Sequence, residues 1–184
     1  DVAIRRATIT GLSQVTGFIA EEQARDLNTD LVEVSAHGGA RDTGTGFENH
    51  KAWQGKIYSL SGRHPRYPSL RTETGYGNVA GLKGANCRHD FSPYIEGVSR
   101  RQWTDAQLRN IGNPPFVYEG IRYTAYEATQ RQRQMETAMR SAKRRYVAFK
   151  AAGLTEDAQN EAAKISRQRE LYLAFSRAAG LRPQ

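Results

Sequence analysis

Three of the four histidines and the only cysteine of this 184-residue chain fall in two short polar blocks. The first is Ser35-Ala36-His37-Gly38-Gly39-Ala40-Arg41, followed closely by His50-Lys51-Ala52-Trp53-Gln54-Gly55; the second is Gly84-Ala85-Asn86-Cys87-Arg88-His89. One thiol and three imidazoles (His37, His50, Cys87, His89) equal the ligand count of a tetrahedral zinc centre. Binding worth many kcal/mol would then hold together a segment that lacks a core of its own. Against zinc, Cys87 and His89 stand only two apart, whereas structural sites space a ligand pair more widely.

The same residues admit two other readings. Cys87 could serve as a nucleophile with His37 or His50 as base, or the histidines could cleave phosphodiesters while Arg41 and Arg88 hold phosphate. No acidic orienter stands at a recognisable spacing, so no catalytic residue is assigned and an enzyme is not the expected outcome. The preferred reading is a buried hydrogen-bond network of His37, Arg41, Trp53, His50, Asn86, Arg88 and His89, which fixes loop positions when every member is satisfied. The glycine-rich stretch from His37 to Gly44 lacks the Gly-Lys-Ser/Thr ending of a phosphate loop, and no dinucleotide fingerprint is present. No carboxylate pair suits two-metal or glycosidase chemistry. His64, next to Pro65, reads as surface.

The elements that must position these blocks are short. Residues 3–27 read as a helix with Ile4, Leu12, Val15, Ile19 and Leu27 near one face; Gly11 and Gly17 weaken it or mark close helix contact. Residues 31–35 and 56–60 read as strands, and 37–49 as loop. Residues 61–86, with two prolines and five glycines, read as one long irregular segment. Thr104 caps a short helix ending near Gly112, and 116–123 forms a hairpin turning at Glu119-Gly120. Helices over about 125–152 and 155–179, joined at Gly153-Leu154, follow, with Thr155 as N-cap and Gly180 as C′ residue. Met135, Met139, Ala142, Tyr146 and Phe149 make a heptad seam. It faces Ala158, Ala162, Ile165, Tyr172, Phe175 and Ala179, interrupted by Arg169, and the short joint requires an antiparallel pair. The expected fold is α+β: a loop-rich β-containing unit with an N-terminal helix (1–123), then a basic αα-hairpin (124–184).

Charge is unevenly placed. Lys and Arg number 27 against 19 acids, a net +8, yet residues 122–184 hold thirteen bases and six acids, so +7 of it lies there. Arg140, Lys143, Arg144, Arg145, Arg167 and Arg169 are the candidate contacts to DNA or an acidic partner. With hydrophobic residues at 38% and a mean hydropathy of −0.71, the core is lean and partners are expected. No run of eighteen apolar residues could cross a membrane, and no secretory leader is visible. One cysteine allows no internal disulfide and suits a reducing compartment. The start at Asp1, without Met, reads as a piece of something longer.

The blocks carry a resemblance. Leu31-Val32-Glu33-Val34-Ser35-Ala36-His37 with Gly39-Ala40-Arg41, then His50 and Trp53-Gln54-Gly55-Lys56-Ile57-Tyr58-Ser59-Leu60-Ser61-Gly62, resemble the phage minor capsid protein 2 family. Gly75-Tyr76-Gly77, Gly84 to His89, Tyr123 to Gln130 and Gly180-Leu181-Arg182-Pro183-Gln184 continue the match in the expected order. More distantly, His50 to Gly55 and Asn86-Cys87-Arg88 are similar to the Mu F-type head morphogenesis module, whose second block commonly ends in a second cysteine where this chain has His89. The resemblance implies a virion protein of a tailed phage, in few copies near the portal, acting in head assembly, genome packaging or DNA delivery. It implies portal and capsid proteins as partners in a multi-subunit assembly, and passage through the host cytoplasm. Packaged DNA would be met by sequence-independent phosphate contacts. Zinc is the one cofactor the residues suggest, and a nuclease-like or toxin-like enzyme centred on the His/Cys cluster is the alternative.

Overall fold

Leu31–Val34 (β1) is buried at every position, because it is the central strand of a three-stranded antiparallel sheet. Ile57–Ser59 (β2) lies on one side, with Val32 opposite Tyr58; Phe91–Tyr94 (β3) lies on the other, with Val34 opposite Phe91. Glu33, buried in mid-strand, is satisfied by the Gln102 N–H, which donates to both carboxylate oxygens at 2.9 and 3.1 Å. The computed structural model describes residues 2–183, so Asp1 and Gln184 lie outside the described residues. The chain divides into two compact units, Asp1–Ile111 and Gly112–Gln184, and its helices and small antiparallel sheets make it α+β, as expected.

The first unit opens with helix α1 (Val2–Asp26). It is helical as read, but the face expected to be inside is outside: Ile4, Leu12, Val15, Ile19 and Leu27 are all more than half exposed. The buried face is instead small, formed by Gly17, Ala20 and Ala24. Gly17 does mark a close approach, though to a tyrosine rather than a helix: a Cβ there would stand 2.8 Å from the Tyr76 hydroxyl, while Gly11 faces open space. Asn28, at φ 50°, ends the helix in a left-handed residue that Asn tolerates, with the Thr29 N–H reaching back to the Ala24 carbonyl.

Between β1 and β3 the chain forms helix α2 (His50–Trp53) and, after β2, helix α3 (Leu70–Thr74), capped by Ser69. The expectation of a wholly irregular and coreless 61–86 is corrected here. Leu70, Thr74 and Leu82 are completely buried, and Leu70 and Leu82 join Val32, Val34, Trp53, Tyr58, Cys87 and Phe91 in one apolar cluster. The loop is nonetheless tightly folded: a Cβ on Gly81 would lie 2.2 Å from the Gly75 carbonyl oxygen, and one on Gly84 2.4 Å from that of Val79. Only glycine fits where backbone meets backbone so closely. His64, read as surface, is half-buried, its ring 5.0 Å from that of Tyr67. Thr104 caps helix α4 (Asp105–Arg109) with a full capping box; the helix ends three residues before Gly112.

In the second unit Phe116–Tyr118 (β4) and Ile121–Tyr123 (β5) pair as a hairpin. Glu119 and Gly120 both have positive φ, the turn type whose twist suits adjoining strands. Thr124, in a capping box with Glu127, starts helix α5 (Ala125–Ala151), and helix α6 (Thr155–Ala178) returns after Gly153. The N-cap of α6 is Leu154, not Thr155, whose hydroxyl turns back to the Gly153 carbonyl at 3.5 Å. Gly180 terminates α6 as expected, with the Leu181 N–H donating to the Ser176 carbonyl.

The helices run antiparallel: Gln132 reaches Ser176, Glu136 reaches Tyr172, and Arg145 reaches Glu161. Their seam differs from the expected one in α6. Ala162 is exposed, and Glu161 is buried in its place; the run 158, 161, 165, 168, 172, 175 keeps the heptad rhythm without passing through Arg169. Phe175, 1% exposed, is the centre of an aromatic cluster with Phe116, Tyr118 and Tyr123, their centroids 5.3 to 5.9 Å away.

Candidate functional site

The two polar blocks converge beside the sheet. His50 opens α2 and Trp53 closes it. Tyr58 on β2 pins that helix by donating its buried hydroxyl to the Trp53 carbonyl at 2.7 Å. Trp53 Nε1 donates to the Phe47 carbonyl at 2.9 Å. Cys87 and His89 stand on the turn that leads into β3. Asn86, at φ 61°, makes that turn.

The ring of His89 is the hub. It stacks on His37 with centroids 4.4 Å apart and meets Trp53 and His50 edge-on at 4.7 and 5.4 Å. The hydrogen bonds fix its tautomer. Gln54 Oε1 accepts the His37 N–H at 3.0 Å, so that amide oxygen is an acceptor. His89 Nε2, also 3.0 Å from it, must therefore donate, which leaves Nδ1 as the acceptor facing Cys87 Sγ at 3.7 Å. His50 Nε2 donates to the Ala80 carbonyl at 2.9 Å, and Arg41 reaches the same oxygen at 3.4 Å.

Burial sets the charge of the cluster. Loss of water pushes His89 down to about 3, helped by the neighbouring His37 and His50. Desolvation also lowers His50, with Arg41 and His37 adding to it, and lowers His37, with Arg88 adding to it. The Cys87 thiol is raised, again by burial. At neutral pH the cluster thus holds three neutral imidazoles and a protonated thiol.

His37, Arg41, His50, Trp53, Cys87 and His89 therefore lie close together in the first unit. Asn86 and Arg88 do not enter a buried network: both are exposed. Asn86 serves as a left-handed turn residue, and Arg88 acts on His37 only through its charge. Gln54 was missed as a site residue. Its place beside Trp53 was visible, but its role depends on an acceptor oxygen shared by residues 17 and 35 positions away. For metal ligation the expected set of four contracts. His50, Cys87 and His89 each bring a ligand atom within 4.8 Å of the other two, without His37.

Of the basic candidates in the second unit, Arg140, Lys143, Arg144, Arg167 and Arg169 are exposed. Arg140 and Arg144 lie on the face of α5 away from its seam and Lys143 beside the seam, whereas in α6 Arg169 flanks the seam and Arg167 lies on the outer face. Arg145 is engaged within the hairpin. Its Nε and Nη2 donate to the two oxygens of Glu161 at 3.1 Å each, and Lys164 Nζ joins at 3.0 Å.

Comparison with known proteins matches residues 1–175 to the phage minor capsid protein 2 family. A structural protein of Lactococcus phage mv4 is 36% identical over 94 residues, 50% of this chain and 65% of that protein. A structural protein of Lactococcus phage LL-H is 30% identical over 83 residues, covering 42% of this chain and 20% of that protein. The chain thus spans less than two thirds of the length of these relatives. No solved structure matches. The chain belongs to the phage minor capsid protein 2 family, whose members are structural proteins of the virion.

Proposed function

We propose that this member of the phage minor capsid protein 2 family sits near the portal of the phage head and touches DNA there through its second unit, serving head assembly, packaging or DNA delivery. The observation that carries the reading is the outer face of α5. Arg133, Arg140 and Arg144 recur there at spacings of seven and four residues, all exposed, on the side away from α6, with exposed Lys143 at the edge of that face. Part of the +7 excess of residues 122–184 is thereby presented as a surface, while Arg145 and Lys164 are held by Glu161. Such a face neutralises phosphates and releases counterions without reading bases, which suits densely packed DNA of any sequence. A portal or capsid surface of acidic character would be met by the same face. The buried, protonated thiol of Cys87 supports a structural part for the His/Cys cluster, since a nucleophilic cysteine needs its thiolate.

Fluorescence anisotropy with duplex DNA of arbitrary sequence tests this. Affinity should fall with salt, and changing Arg140, Lys143 and Arg144 to Ala should lower the salt slope by about 2–3 logarithmic units per decade. Arg145→Ala should change the slope little, because that guanidinium already holds Glu161. Binding indifferent to salt, or unchanged in the triple variant, would refute the DNA contact. Cross-linking in purified heads tests the portal, and heads in which this chain links only to distant shell proteins would remove it from that position.

A further inference from the structure

We propose that His50, Cys87 and His89 form a zinc site in the first unit, with two histidine nitrogens and one thiolate as protein ligands and the fourth position open to water. This is independent of the DNA reading and concerns a different unit.

Three observations carry it. First, one ligand atom from each residue lies within 4.8 Å of the other two, and all three residues are buried. Second, Cys87 Sγ and His89 Nδ1 are 3.7 Å apart. A tetrahedral centre with Zn–S of about 2.3 Å and Zn–N of about 2.05 Å sets those two atoms about 3.6 Å apart. Third, both imidazoles are held as metal-bound histidines are held. His89 Nε2–H donates to Gln54 Oε1 and His50 Nε2–H donates to the Ala80 carbonyl, so each keeps a lone pair on Nδ1. A second hydrogen bond of this kind orients the ring and raises ligand basicity. The donor set, two imidazoles and one thiolate, suits zinc rather than calcium or magnesium, which take oxygen.

The chemistry balances simply. The Cys87 S–H proton leaves to solvent, the sulfur lone pair binds Zn²⁺, and the two neutral histidines contribute lone pairs without losing a proton. Zinc uptake should therefore release one proton per chain at neutral pH. The ion would tie the start of α2 to the turn before β3.

The test uses the purified full chain, with zinc chloride as the probe. Elemental analysis after gel filtration should give stoichiometric zinc, and a pH indicator should record the released proton. Cobalt(II) in the unaltered chain should show an intense thiolate-to-metal band together with visible bands of tetrahedral strength. That readout does not depend on any variant folding. Cys87→Ser should abolish the thiolate band and weaken zinc by at least about 100-fold, while Gln54→Ala, which frees His89, should weaken it by about 10–100-fold. His64→Ala should change nothing. No stoichiometric zinc, cobalt spectra of an octahedral aquo ion, or equal affinity in the Cys87→Ser chain would each overturn the proposal.

Discussion

Lys83 and Asp90 offer a sharp test of how the first unit is held. The Lys83 ammonium is 2% exposed, donating to Asp90 Oδ1 at 2.5 Å and to Thr16 Oγ1 at 2.7 Å. It thus joins α1 to the residue that leads into β3. Breaking a fully buried pair by removing one partner costs about 3–5 kcal/mol, because the other charge is left without compensation. Asp90 is 56% exposed, so its charge is partly screened. Asp90→Asn should therefore destabilise by about 1.5–3 kcal/mol, at the lower end in high salt. Asp90→Ala should cost about 1 kcal/mol more, because the carboxylate also accepts the Phe91 N–H at 2.8 Å. Lys83→Met, which removes the buried charge and keeps the aliphatic stem, should cost less than Asp90→Asn, and adding Asp90→Asn to it should cost little. Urea unfolding followed by tryptophan fluorescence measures this in the right place, since both tryptophans, Trp53 and Trp103, lie in the first unit. A cost for Asp90→Asn below about 0.5 kcal/mol, or one equal in the presence and absence of Lys83, would refute the coupling.

Phe175→Ala should destabilise the second unit by about 3–5 kcal/mol, because it empties the centre of the cluster with Phe116, Tyr118 and Tyr123; thermal melting monitored by near-ultraviolet tyrosine signals would show it. The Glu161 carboxyl is held below its usual value by its bonds to Arg145 and then Lys164. The folded state then binds its proton less readily than the unfolded chain, so this contribution is complete above about pH 4.5 and is lost as pH falls through the depressed value. Comparing Glu161→Gln with the unaltered chain by circular dichroism melts should show their stabilities converging in acid. Divergence there would contradict the pairing.

Much of the architecture was legible because it rests on local chemistry. Thr104 can cap a helix with its own hydroxyl, Glu119-Gly120 can adopt positive φ whatever surrounds it, and Gly153 and Gly180 can end helices for the same reason. The blocks around His50 and Cys87 likewise carried the resemblance to the family that the match over residues 1–175 shows. Other features were decided in three dimensions. Which face of α1 is buried depends on Tyr76 and β3, whose close approach favours Gly17, Ala20 and Ala24 over the larger apolar residues. Glu161 sits in a seam expected to hold Ala162 because Arg145, sixteen residues earlier, supplies its counter-charge. The tautomers of His50 and His89 are set by the Ala80 carbonyl and the Gln54 amide. A sequence specifies its caps and turns through bonds that span a few residues. Faces, charge partners and proton positions belong to contacts between distant segments, which exist only once the chain has folded.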